Sequence, residues 1–273
     1  MEQRRSRLVM YAPESSPARE FPDVRVCRGG RVTASQAEWV AHAVGRVLAR
    51  RGIAGGARVR LTTADCADGP ALMQVNLRVG DTPARVQAVT PGPDELSSAL
   101  LRLDLQIVRL LAQWRPRPWP DRRRRVLTAP AGAHITRRKP VVPRRDTPLG
   151  AVAAMDAMDY DVHLFTDAES GEDAVVYRAG PSGLRLARQR HVYPPGWSWS
   201  AGSAVPPVPL VVSSRPTPVL TEDSAVGRMC EHGLPFLFFT DPVTGRGRLL
   251  YPRYAGDLGL ITTNGDGGED GVP

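Results

Sequence analysis

Apolar and polar residues alternate along three segments in the first half of the chain, a pattern typical of β-strands. These segments are residues 57–63, 71–79 and 83–90. A weaker alternation at 21–27 predicts an earlier strand, and apolar residues at helical spacing predict a helix that begins after Thr33 and ends at Gly52. A second helix begins near Pro93. Residues 21–115 are therefore predicted to form a β-α-β-β-β-α sandwich, with both helices on one face of an antiparallel sheet, as in double-stranded RNA-binding domains.

The alternation makes one face of this sheet apolar, towards the helices, and the other face polar. The residues that point away from the helices are Arg58, Arg60, Gln74, Asn76, Arg78, Arg85 and Gln87. An open face of arginine and amide side chains suits contacts with a phosphate backbone. An ordinary solvated face is also polar, but the excess of arginine over acidic residues here favours binding.

The second half of the chain contains one pattern twice, at a constant offset of 74 residues. The offset matches Thr147 with Thr221, Met155 with Met229, and the segment 165–167 with 239–241. A register kept without a gap from the helix to the last strand indicates a true repeat. Each copy is predicted to be a small β-α-β-β-β domain, which makes the whole chain α+β.

The repeat and the composition together predict seven segments. They are a flexible arm at 1–20, the N-terminal domain at 21–115, a basic Pro/Arg-rich linker at 116–134, the first copy at 135–189, a Pro/Ser/Gly linker at 190–209, the second copy at 210–264 and a disordered tail at 265–273. Prolines and like charges extend a chain, so we expect the basic linker to act as a tether.

Charge is distributed unevenly between the two halves. The net charge is +6 for residues 1–115, +9 for 116–145 and −7 for 146–273, within a total of +8. All but one of the cationic residues are arginines, whose planar guanidinium groups suit phosphate and base contacts. This asymmetry predicts that only the first half contacts nucleic acid.

Sequence signals of catalysis and cofactor binding are absent. Cys27, Cys66 and Cys230 have no metal-ligand spacing and suggest a reducing compartment. The glycine-rich stretches lack the flanking residues of a phosphate loop, and no apolar run reaches the length of a membrane span. The sequence therefore predicts a soluble cytoplasmic binding protein, not an enzyme, with no metal, cofactor, membrane or small-molecule substrate.

Motifs in the first copy resemble the C-terminal domain of the long ribosome hibernation promoting factors, the sigma 54 modulation protein or S30AE family. The matching motifs lie at 135–140, 155–158, 162–165, 169–171 and 175–178. Residues 21–115 are similar to the N-terminal domain of that family in the order of elements and in the helix start at Thr33-Ala-Ser-Gln.

The resemblance implies a ribosome hibernation factor. It implies that the N-terminal domain binds the 30S decoding region of the 70S ribosome and blocks the binding of messenger and transfer RNA. Translation would then be inhibited during dormancy or hypoxia. We expect contacts to 16S rRNA from Arg46, Arg50, Arg51, Arg58, Arg60, Arg78, Arg85, Arg102, Arg109, Arg122, Arg123, Arg124 and Arg125.

The second copy departs from the family pattern, because ordinary long factors carry one such domain and join two ribosomes through it. A chain with two copies can pair them internally, so we expect a monomer and single 70S particles rather than 100S dimers; the alternative is that each copy pairs with another chain. The expected pairing core is Val162, Leu164, Phe165, Val175, Tyr177, Phe236, Phe238, Phe239, Leu249 and Tyr251.

Two other classes of function remain open from the sequence. The same basic face would serve a nucleic-acid-binding transcriptional regulator of the sigma-factor modulator type. Alternatively, the acidic tandem recruits a protein partner, and RNA binding is incidental.

Overall fold

The computed structural model describes residues 22–63, 70–92, 95–121, 126–179, 183–192, 198–199 and 210–263. Within these residues the chain is an α+β protein with four helices and three sheets. The predicted arm and tail lie outside the described residues, as do the candidate RNA-binding residues Arg122, Arg123, Arg124 and Arg125.

The N-terminal part is a four-stranded sheet covered on one face by two helices. Its elements are β1 (Val24–Gly29), α1 (Ala34–Arg50), β2 (Ala57–Thr63), β3 (Ala71–Val79), β4 (Thr82–Thr90) and α2 (Ser97–Leu111). The strand order is β1-β2-β3-β4. Strands β2, β3 and β4 are antiparallel, but β1 pairs with β2 in parallel. The prediction of a fully antiparallel sheet was wrong at this edge, because α1 connects β1 to β2 as a crossover.

Local sequence explains the position of α1 and the composition of the core. A reciprocal cap opens α1: the Thr33 hydroxyl accepts from the Gln36 backbone at 3.2 Å, and the Gln36 side chain accepts from the Thr33 backbone at 3.0 Å. Gly52, at φ 68°, follows the helix. The inward residues of the alternating strands, such as Leu61 and Val75, pack with residues of both helices, such as Leu103.

The remaining elements form two further sheets. They are β5 (Ile135–Val141), β6 (Arg145–Asp146), α3 (Pro148–Ala157), β7 (Val162–Asp167), β8 (Asp173–Ala179), β9 (Gly183–Arg188), β10 (Ser198–Trp199), β11 (Leu210–Val212), α4 (Glu222–Glu231), β12 (Leu237–Thr240), β13 (Gly247–Pro252) and β14 (Leu258–Thr263). The sheet orders are β10-β11-β9-β8-β7-β6 and β12-β13-β14-β5.

The two copies exchange strands. Strand β5, the first strand of the first copy, pairs in parallel with β14 of the second copy. In return, β11, the first strand of the second copy, pairs in parallel with β9 of the first copy. The sequence predicted a first strand in each copy but assigned it to the sheet of its own copy. Backbone hydrogen bonds therefore join the copies in both directions.

The matched positions of the repeat have matched local roles. Thr147 and Thr221 each accept a hydrogen bond from the backbone three residues later, at 3.1 and 3.3 Å, and so cap α3 and α4. The turns at 167–171 and 241–245 each end in a glycine with positive φ, 74° at Gly171 and 66° at Gly245. The repeat thus reflects one local construction built twice.

The basic linker contacts both copies instead of forming the extended tether predicted from its prolines and charges. Just before it, Trp114 packs against the core of the first copy, and Arg117 is only 6% exposed. Ala129 and Ala133 belong to the core of the second copy. Burial of these side chains outweighs the tendency of the prolines and like charges to extend the chain.

Candidate RNA-binding face and pairing interface

The open face of the N-terminal sheet is a ladder of arginine and amide side chains. Arg58 lies opposite Asn76, which lies opposite Arg85. In the next row Arg60 lies opposite Gln74, and the Gln74 side-chain amide donates to Gln87 at 2.6 Å. Three paired strands hold the backbone of these residues in fixed positions, so only the side chains have to be ordered when the face binds a ligand.

The cations of this face differ in their neighbours. Arg78 is 3.9 Å from the exposed Asp81, and Arg25 is 3.0 Å from the exposed Asp23. In the described part of the chain, no carboxylate lies within 4.0 Å of Arg58 or Arg60. These two exposed guanidinium groups are therefore available to an anion.

Arg25 belongs to this face but was absent from the sequence prediction. It lies beside Arg58 in the parallel register of β1 and β2. Residues in register on adjacent strands point to the same face, so a correct β1–β2 pairing would have identified Arg25.

The candidate arginines do not form one site. Arg46, Arg50 and Arg109 are exposed on the helices, which cover the opposite face of the sheet from Arg58 and Arg60. The helix groups and the sheet groups therefore cannot contact the same flat stretch of RNA.

Arg50 and Arg51 are both bound to Asp104 of α2. Arg51 donates to the two oxygens of Asp104 at 2.8 and 2.6 Å, and Arg50 donates at 3.0 Å. The Arg51 hydrogen bonds, assisted by Arg50, lower the pKa of Asp104 from 3.8 to about 2 despite its partial burial. The pair fixes α1 against α2, so Arg51 is a structural residue here rather than a free RNA ligand.

We expect Asp104→Asn to remove an acid-sensitive part of the stability. A carboxyl whose folded-state pKa is depressed stabilises the fold above its unfolded-state value and loses that effect as the pH falls. For Asp104 the loss falls between about pH 4 and pH 2. Denaturant unfolding at a series of pH values should show a steeper fall for the wild-type chain than for the variant. Equal slopes would contradict the role given to Asp104.

Arg85 and Arg102 lie at the junction with the first copy. The Arg85 guanidinium carbon is 5.8 Å from the centre of the Tyr160 ring. Arg102, whose side chain is 21% exposed, is 3.0 Å from Asp159. The sequence predicted that Arg102 binds RNA, but in this structure Arg102 is paired with Asp159 of the first copy.

The two copies pack through the sheet faces that lie away from their helices. The apolar cluster between them contains Val162, Leu164, Val175, Tyr177, Ala187, Phe236, Phe238, Leu249 and Ile261. The Tyr177 and Phe236 rings meet edge to face at 5.1 Å. Burial raises the pKa of the Tyr177 hydroxyl.

Two residues of the predicted pairing core lie elsewhere. Phe165 and Phe239 belong to the separate cores beneath α3 and α4. Each follows a residue of the interface, and successive residues of a strand point to opposite faces. Tyr251 is on the same face of β13 as Leu249, and its ring lies against Gly259 on β14, where a Cβ would overlap it.

Polar contacts at the interface are asymmetric. Arg246 of the second copy donates to both oxygens of the buried Asp173 at 2.8 and 3.1 Å, and the Gly247 backbone donates to Asp173 at 2.8 Å. A Cβ at Gly247 would lie 2.7 Å from that of Asp173. The Gln189 side chain donates to Thr240 and to the carbonyl of Gly245, each at 3.0 Å.

Comparison with known proteins identifies the relatives of this chain. The family described as sigma 54 modulation/S30EA ribosomal protein C terminus matches residues 131–186. Two proteins of Mycobacterium tuberculosis, from strains CDC 1551 / Oshkosh and ATCC 25618 / H37Rv, are each 73% identical over 272 residues, which is 100% of both chains. Both are named dormancy associated translation inhibitor. The chain belongs to the S30AE family.

The residues that match the S30AE family include β5, the first strand of the first copy. This strand lies in the sheet of the second copy. The second copy lies outside the matched residues, and its relation to the first copy rests on the 74-residue repeat and on the matched helix caps.

The described residues contain no group of His, Cys, Asp and Glu side chains able to hold a metal ion, and none of their helices is long and apolar enough to cross a membrane. Burial lowers the pKa of His163, whose ring is 6.3 Å from that of Tyr160. A neutral, packed imidazole in this S30AE chain fits a structural role.

Proposed function

We propose that this protein is a ribosome hibernation factor that inhibits translation during dormancy or hypoxia. Its N-terminal domain binds the decoding region of the small subunit in 70S ribosomes and contacts 16S rRNA. In that position it blocks the binding of messenger and transfer RNA. The exposed Arg58 and Arg60, held on a rigid sheet beside an amide ladder, are the observation that carries this proposal. The names of the two mycobacterial relatives support it.

The proposed function requires this face to bind RNA and to catalyse no reaction. Guanidinium groups bind phosphate oxygens through paired hydrogen bonds, and amide side chains suit base edges and sugars. Because the sheet is ordered before binding, the backbone of this face loses no further freedom when RNA is bound, and only the side chains are ordered. Inhibition then follows from occupancy of the channel, without a reaction.

We further propose that the chain acts as a monomer and leaves ribosomes as single particles. The repeat offset places Glu172 at the position of Arg246, and Asp173 at the position of Gly247. Two first copies would therefore bring Glu172 of one chain against the buried Asp173 of the other. Two second copies would place Arg246 against Gly247, with no carboxylate. Pairing of unlike copies is favoured, and one chain contains both.

Cosedimentation with ribosomes, alongside cell-free translation, tests both proposals. The expected result is comigration with 70S particles, loss of translation and no 100S peak. A 100S peak would contradict the monomer proposal. Failure to comigrate at low salt, together with binding to DNA, would instead favour a transcriptional regulator.

A further inference from the structure

The N-terminal domain and the first copy meet at a cluster of buried polar residues. This junction cluster consists of Arg102, Gln106, Arg117, Asp156, Asp159 and Arg178. Arg102 and Gln106 come from α2, Arg117 from the linker, and the remaining three from the first copy. Five of the six are no more than 7% exposed, the exception being Arg102.

Asp159 is the central residue of the cluster. One carboxylate oxygen accepts from Arg102 at 3.0 Å and from Arg117 at 2.5 Å. The other accepts from the backbone N–H of Gln87 at 2.9 Å. Since β4 is an edge strand, this carboxylate satisfies an edge amide that no strand pairs with.

The other contacts connect the same three parts of the chain. Gln106 donates to the carbonyls of Asp156 and Ala157 at 2.7 and 3.2 Å, at the end of α3. The Asp156 carboxylate accepts from the Arg117 backbone at 3.1 Å and from Arg178. Buried ionic groups with this many partners fix a geometry, because losing one partner leaves a buried charge.

Asp159 occupies a backbone conformation that suits glycine. Its φ is 52°, in the left-handed region, two residues after the end of α3. The repeat offset matches it with Gly233, which follows α4 with φ 55°. A side chain in this region costs about 1 kcal/mol, which glycine avoids. The backbone of the first copy is therefore strained at Asp159, the residue whose carboxylate contacts the N-terminal domain.

The two copies differ at every junction position of the repeat. Where the first copy has Asp156, Asp159, Tyr160 and Arg178, the second has Cys230, Gly233, Leu234 and Pro252. None of these four replacements carries a charge at neutral pH in its ordinary form. The second copy thus lacks the groups that hold the N-terminal domain.

Docking of the first copy engages two of the arginines expected to bind RNA. Tyr160 lies over the Arg85 guanidinium group, and Asp159 binds Arg102. Phosphates and the first copy therefore compete for the same two cations. Arg58 and Arg60, two strands away from β4, remain exposed.

We propose that the surface formed by β4 and α2 is a specific docking site for the first copy, and that this closed state restrains RNA binding until the two parts separate. The docking is carried by Asp159 and its partners, and the divergence of the two copies determines which one docks. The docking itself is independent of the proposed function, whereas the restraint on RNA binding rests on it.

Amide hydrogen exchange of the full chain, without ribosomes, tests the docking. The Gln87 N–H donates to Asp159 across the junction, so Asp159→Gly should accelerate its exchange about 10-fold or more. Glycine at this position matches Gly233 and relieves strain, so the copy should still fold. Asp223→Asn, which removes one exposed acid from α4, is the control of equal charge and should leave Gln87 protected. Fast exchange in the wild-type chain, or no acceleration in Asp159→Gly, would overturn the docking.

Affinity for purified 30S subunits tests the restraint. If the open state is a minority of about one tenth, opening the chain should tighten binding about 10-fold. Tyr160→Leu, which copies Leu234 and releases Arg85, should act in the same direction and serves as a second variant. Accelerated exchange with unchanged affinity would overturn the restraint. A chain that binds no subunits in any form would contradict the proposed function, while the exchange result would still decide the docking.

Discussion

Replacement of both Arg58 and Arg60 by glutamate is expected to weaken binding to the small subunit by about 100-fold or more. Each exposed guanidinium group can make charge-assisted hydrogen bonds to phosphate worth about 1.5–3 kcal/mol, and the replacements add repulsion. Neither residue has a carboxylate within 4.0 Å in the described part of the chain, so the fold should tolerate the change. Sedimentation binding at fixed salt measures the loss directly.

The matched control for this variant is Arg215→Glu with Arg228→Glu. Both control residues are exposed in the C-terminal half, and the net charge changes by the same amount. Loss of two phosphate contacts should also reduce the slope of log affinity against log salt by about 2. Equal weakening in the two variants would mean that net charge, and not the open face, determines binding.

The open face was predictable because strand alternation is a local property. The period of two separates Arg58 and Arg60 from Val59 and Leu61 without reference to the rest of the chain. The cap at Thr33 is equally local. Both features depend only on residues close together in the chain, so both can be predicted from a single sequence.

The strand exchange and the junction cluster were not predictable in this way. Strand β5 can pair with the last strand of either copy, and tertiary packing decides between them. Arg102 resembles an RNA ligand until Asp159, 57 residues later, is placed beside it. One error was avoidable: Leu164 and Phe165 are adjacent in a strand, so they cannot share a face.

Strand exchange and charge asymmetry have different consequences for pairing. Exchange of first strands could join any two copies of this fold, like or unlike, because backbone hydrogen bonds do not depend on the identity of the side chains. Selection between partners must come from side chains, and the buried Asp173 supplies it by requiring a cation. Specificity of this kind rejects wrong partners through unpaired or opposed charges.

Arg246→Glu is therefore expected to lower the free energy of unfolding by about 3–5 kcal/mol, because it leaves the buried Asp173 carboxylate without its cation. The new acid also reproduces the arrangement that two first copies would have, with Glu172 in the place of Arg246. Arg228→Glu, on the exposed surface of α4, makes the same change in charge and should have little effect. Denaturant unfolding of the full chain compares the two variants. If both unfold like the wild-type chain, Asp173 does not select the partner, and pairing of unlike copies depends on the apolar cluster alone.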